Sequence, residues 1–129
     1  MFKNMALFIV AFMLFLPLSV VNVGVVICTG SGAISKRFSG YFLSSAKSID
    51  KFANVEFRSL WGLTMIANKY RDDHFPFGNF GHTVSYVLGK NKEVGKLSTA
   101  GIYLVKLLNL IDKDHVEKAV KITEDNLKR

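Results

Sequence analysis

The stretch MALFIVAFMLFLPLSVVNVGVVIC, Met5 to Cys28, decides the architecture, because it holds no charged residue over 24 positions. As an α-helix rising about 1.5 Å per residue it spans about 36 Å, against a bilayer hydrocarbon core of about 30 Å. Only Ser19, Asn22 and Gly24 weaken the apolar run, and Pro17 in its middle removes one backbone donor and is expected to kink the helix. The segment therefore reads as a transmembrane anchor over residues 1–28. A signal peptide is the competing reading, with Lys3 as its basic end and Met5 to Leu16 as its apolar region. Its small-residue cleavage candidates, Thr29 with Ser31 or Ser31 with Ala33, follow an apolar run about twice the usual length of such regions. Lipoprotein processing at Cys28 is disfavoured, since Ile27 stands where a small residue is needed.

Outside the anchor the chain is basic. Of 129 residues, 17 are Lys or Arg and 10 are Asp or Glu, for a net charge of +7, and half are hydrophobic. That length allows one folded domain beside the anchor. One cysteine and two prolines exclude disulfide-built and collagenous chains, and 12% aromatic residues argue against disorder. Lys36, Arg37 and Lys47 after the anchor outweigh Lys3 before it, so the domain is expected on the cytoplasmic side of the inner membrane. The lysines are scattered and form no stripe, which favours anionic headgroups over nucleic acid as the partner of this charge.

Residues 29–47 read as a juxtamembrane linker, Gly/Ser-rich at first. Lys36 and Arg37, followed by Phe38, Tyr41 and Phe42, have the chemistry of a segment resting at the bilayer interface. Residues 48–129 read as a mainly α domain, a small bundle of about four helices. A first helix is expected from Ser48 to about Tyr70, with Ala53, Phe57, Leu60, Trp61 and Thr64 on its apolar face. Thr83 is expected to cap a short helix that Gly89 ends, followed by a polar connector from Lys90 to Lys96. Leu104, Leu107, Leu108 and Ile111 predict a buried amphipathic helix within Leu97 to Ile111, too short for a second crossing. Asp112 is expected to cap a last helix whose stripe is Val116, Ala119, Val120, Thr123 and Leu127, with Lys128 and Arg129 at its negative end.

The loop RDDHFPFGNFGH, Arg71 to His82, carries the candidate sites. Phe75, Phe77 and Phe80 alternate with turn formers and either pack inward, the default for such rings, or form a contact surface for another protein, membrane-bound or membrane-associated. Asp72, Asp73, His74, His82 and His115 have the donor chemistry of a metal site, but at no spacing that marks one. No nucleophile elbow or phosphate loop appears, and Cys28 lies in the membrane segment. An enzyme is thus not expected, a metal-dependent one using Asp72, His74, His82 and His115 being the remaining alternative of that class, and no cofactor is implied. Ser19 and Gly24 are not at the spacing that pairs membrane helices.

Asn68, the run His82-Thr83-Val84-Ser85, the Leu-rich helix after Lys96, and Ile111-Asp112-Lys113-Asp114-His115 follow one another in an order that resembles small bacteriophage and prophage proteins. The resemblance covers residues 60–120, about half the chain, and departs from the pattern at Val116, where those proteins often carry Cys. It implies a compact helical domain of phage or mobile-element origin and supplies no activity.

Overall fold

The computed structural model describes residues 2–29 and 32–128, and the fold is mainly α. Gly30 and Ser31 of the expected linker, with Ser31 as a cleavage candidate, and the terminal Arg129 lie outside the described residues. Two compact units form, Met1–Ser45 and Ala46–Arg129. Among the described residues six helices run α1 (Phe2–Thr29), α2 (Ile34–Glu56), α3 (Arg58–Met65), α4 (Val84–Glu93), α5 (Thr99–Ile111) and α6 (His115–Leu127), with a 3-10 turn at Asn68–Tyr70. Among the described residues the only β-type contact is an isolated antiparallel bridge between Ile66 and Leu97.

In the first unit, α1 is a 28-residue helix with no buried residue, long and apolar enough to cross a membrane. It passes through Pro17 without ending. Its hydroxyls are satisfied internally: Ser19 Oγ donates to the Phe15 carbonyl at 2.6 Å and Thr29 Oγ1 to that of Val25 at 2.8 Å. Such back-bonding removes the cost of carrying a hydroxyl into hydrocarbon. The expected linker is not an extended segment, since α2 begins at Ile34 and runs without interruption to Glu56.

The second unit is organised around α4. Thr83 caps it as expected, accepting the Tyr86 amide at 3.1 Å, and seven of its residues are buried. Gly89 does not end this helix but sits inside it, where α6 crosses. A Cβ there would overlap Val120 Cγ2 and lie 3.1 Å from the Val116 carbonyl oxygen. Close approach, not chain termination, is what this glycine provides. The helix stops at Val94, followed by Gly95 at φ +67. Val84, Tyr86, Val87 and Leu88 pack with Ile66, Phe77, Leu97, Val105, Val116 and Val120 as one core.

The helix expected from Ser48 to Tyr70 is broken twice. At Phe57 the backbone leaves helical geometry (φ −101, ψ 19), and the Ala53 carbonyl accepts both the Phe57 amide at 3.1 Å and the Trp61 indole N–H at 2.9 Å. At Ile66 the chain becomes extended to bridge Leu97. There the Ser98 amide donates to the Met65 carbonyl at 2.8 Å and the Ala67 amide to that of Lys96 at 3.0 Å. Ser98 caps α5 through its hydroxyl. Asp112 does not cap α6 but closes α5, and Asp114, in the left-handed region at φ 59, makes the turn into α6.

The orientation of α5 also departs from expectation. Gly101 and Val105 face the core, Leu104 and Leu108 are half-buried, and Leu107 and Ile111 point to solvent. Gly101 sets this rotation, because only a residue without a side chain can approach the Met65 carbonyl so closely. On α6, Val116 and Val120 are buried, Ala119 and Thr123 half-buried, and Leu127 is exposed.

Candidate functional site

The aromatic loop is held by two asparagines that are fully buried. Asn91 Oδ1 accepts the Phe75 amide at 2.9 Å, while its Nδ2 donates to the carbonyls of Phe75 at 2.9 Å and Val87 at 3.0 Å. Asn54 Nδ2 donates to the carbonyls of Asn79 at 2.9 Å and His82 at 3.1 Å, and its Oδ1 accepts the Gly78 amide at 3.4 Å. Side-chain amides thus supply partners that an irregular backbone lacks when it is drawn inside. The three phenylalanines are placed differently from one another. Phe77 is in the core, and Phe75 is half-buried with its ring edge-on to Tyr86 at 5.5 Å. Only Phe80, 81% exposed, remains available to a partner.

Burial of the loop carries His82 with it. Its ring lies 4.6 Å from Tyr86 and 5.5 Å from Phe75, and its Nδ1 is buried without a hydrogen-bond partner. Desolvation holds its pKa below the ordinary histidine value. Where the folded state resists protonation and the unfolded chain does not, stability falls as pH drops below about 6.5, by at most about 1.4 kcal/mol per pH unit for one proton. Thermal melting followed from pH 8 to pH 5 is expected to show this decline in the wild type, and His82→Phe is expected to flatten it. An unchanged slope in His82→Phe would assign the decline to another group.

The five candidate metal ligands are not brought together; among the described residues no group of three His, Cys, Asp or Glu could hold a metal ion. Asp72 is exposed, Asp73 pairs with Lys96 at 2.9 Å, and His74 Nδ1 lies 2.8 Å from the Arg71 carbonyl. His82 is in the aromatic pocket. His115 joins a different cluster, which sequence spacing did not reveal. Its Nε2 is 3.2 Å from Ser85 Oγ and its Nδ1 3.1 Å from Asp112 Oδ2.

That order of serine, histidine and carboxylate is the order of a hydrolytic triad, but the protons are placed differently. Ser85 Oγ donates to Asp50 Oδ2 at 2.7 Å and the residue is buried, whereas a triad serine is exposed and gives its proton to the histidine. Asp50 Oδ1 meanwhile accepts the Val84 amide at 2.9 Å, adding a second cap to the start of α4. The cluster ties α2, α4 and the α5–α6 corner together. Lys118, donating to Asp112 Oδ1 at 2.7 Å, and His115 together hold the Asp112 carboxyl below its ordinary value. This contribution is present at neutral pH and is lost as pH falls through the carboxylate range.

In the first unit, Arg37 closes the end of α1: its Nη1 donates to the carbonyls of Ile27 at 2.9 Å and Val26 at 3.4 Å. A guanidinium there offsets the negative helix end and satisfies carbonyls without intrahelical partners. Phe38 stacks on Phe42 at 5.8 Å and Tyr41 meets Phe42 edge-on at 5.6 Å, with Lys36 exposed beside them. Cations and rings are thereby gathered within one turn or two of the start of α2.

No protein-family model matches the chain, and no curated protein or solved structure matches it.

Proposed function

We propose that the protein is a single-pass membrane-anchored interaction module, which holds a small helical domain at the bacterial inner membrane and there engages another membrane or membrane-associated protein. The observation that carries this reading is α1, 28 residues long, apolar throughout its middle and without a buried residue. An exposed helix of that composition is stable where lipid covers it. The arrangement around Arg37, Phe38, Tyr41 and Phe42 supports an interfacial role for the start of α2, since arginine and aromatic rings are the side chains that headgroup regions accept. A cytoplasmic domain follows from the charge balance, and an accessory role for a phage or mobile element from the resemblance of residues 60–120. Ser85, His115 and Asp112, hydrogen-bonded as structural ties, favour a binding module over a hydrolase.

Fractionation of expressed protein, with intact mass measured on each fraction, tests the reading. Full-length protein in a carbonate-resistant membrane pellet is the expected result. A soluble species shortened at its N-terminus would overturn it and establish the alternative, a secreted or periplasmic helical protein released by signal cleavage.

A further inference from the structure

The outward face of α5 is apolar, and none of the described residues of the second unit covers it. Tyr103, Leu107, Leu110 and Ile111 are 66%, 53%, 83% and 78% exposed. At 13 residues the helix is about 20 Å long, too short to cross a hydrocarbon core of about 30 Å. Its charge is one-sided: Thr99 to Ile111 contains no Asp or Glu, and its one charged residue is Lys106, whose ammonium lies 5.6 Å from the Tyr103 ring. A groove of about 440 Å³ alongside is lined by Leu97, Ile102, Val105 and Leu110, with Lys92, which is paired to Glu117, and Lys106 as the charged residues on it.

We infer that α5 docks in the plane of the bilayer, with Tyr103, Leu107, Leu110 and Ile111 in the interfacial region and Lys106 reaching anionic headgroups. Aliphatic side chains flanked by tyrosine and lysine are the composition of helices that lie in a membrane surface. Anionic lipid supplies the negative charge that the face lacks, and the lysine stem buries its methylenes while its head stays at the phosphates. A second copy fits this chemistry less well. Antiparallel pairing of two α5 helices about their middles would bring two Lys106 ammoniums into one contact with no carboxylate on the face to receive them. The inference rests on the membrane-anchored reading, since α1 keeps the bilayer within reach of the domain at high effective concentration.

The test uses the full chain with Cys28→Ser, reconstituted in vesicles of phosphatidylcholine and phosphatidylglycerol. A spin label is placed at Leu110→Cys, Lys121→Cys or Val20→Cys, and collision with oxygen is compared with collision with an aqueous nickel chelate. Leu110 and Lys121 are both exposed, so labelling leaves the packing intact. The expected oxygen-to-nickel ratio at Leu110 is several-fold above that at Lys121 and below that at Val20. Lys106→Glu is expected to lower the Leu110 ratio. A Leu110 label as open to nickel as the Lys121 label overturns the inference. So does a Leu110 label shielded from both collision partners and broadened by a neighbouring spin, which would assign the face to a second copy. The Val20 label reports on the anchor independently: nickel access there would defeat the anchored reading whatever α5 does.

Discussion

Asn91→Ala is expected to destabilise the helical domain by about 2–4 kcal/mol, because the substitution strips partners from partly buried backbone groups of the loop. Asn91 is fully buried on α4, and its side-chain amide is the partner of both the Phe75 amide and the Phe75 carbonyl. In water each of those groups would find a replacement; at this partly buried site replacement is restricted, and each orphaned group costs about 1–3 kcal/mol. The small void left by the missing amide adds to this. For a domain of this size each kcal/mol lowers the melting temperature by about 4–8 °C. Asn91→Asp is no remedy, since a carboxylate would keep the Phe75 amide but face the carbonyls of Phe75 and Val87 without a donor. Thermal melting in detergent with hydrogen exchange at Phe75 reads the effect. A melting temperature within a degree or two of wild type would mean that the loop's position does not depend on this clamp.

Gly101→Ala is expected to destabilise by about 2–3 kcal/mol through overpacking, although glycine to alanine inside a helix normally gains up to about 1 kcal/mol. A Cβ at position 101 would lie 2.5 Å from the Met65 carbonyl oxygen and 3.2 Å from Leu97 Cδ2. The oxygen is backbone and already accepts the Ser98 amide at 2.8 Å, so it cannot withdraw without loosening the junction that joins α3 to α5. Gly40→Ala in α2 is the control, since nothing lies within 4 Å of the added carbon. Chemical denaturation of the two variants should therefore move in opposite directions. A stabilised Gly101→Ala would show that α5 can move away from Met65 at little cost.

Both residues also mark where sequence reasoning stops. The helical class, the long apolar N-terminal helix, the Thr83 cap and the Val116–Val120 stripe of α6 were legible because each depends on residues within a few positions of one another. Uncharged length, a hydroxyl before a helix and a repeat of three and four are local patterns. Inward packing was the default expectation for the loop phenylalanines, but which of them turn in, and what holds them there, was not legible, because it depends on amides at Asn54 and Asn91 that meet the loop from 16 to 28 residues away. Gly89 reads as a stop signal until Val116 and Val120 are placed against it. Leu107 and Ile111 read as core until the contact between Gly101 and Met65 decides which side of α5 faces in. His115 reads as a possible ligand until Ser85 and Asp112 become its neighbours. Local chemistry selects the helical class and the start of α4; which polar groups are satisfied inside, and which apolar face is left outside, depends on pairs of residues that only the packed chain brings into contact.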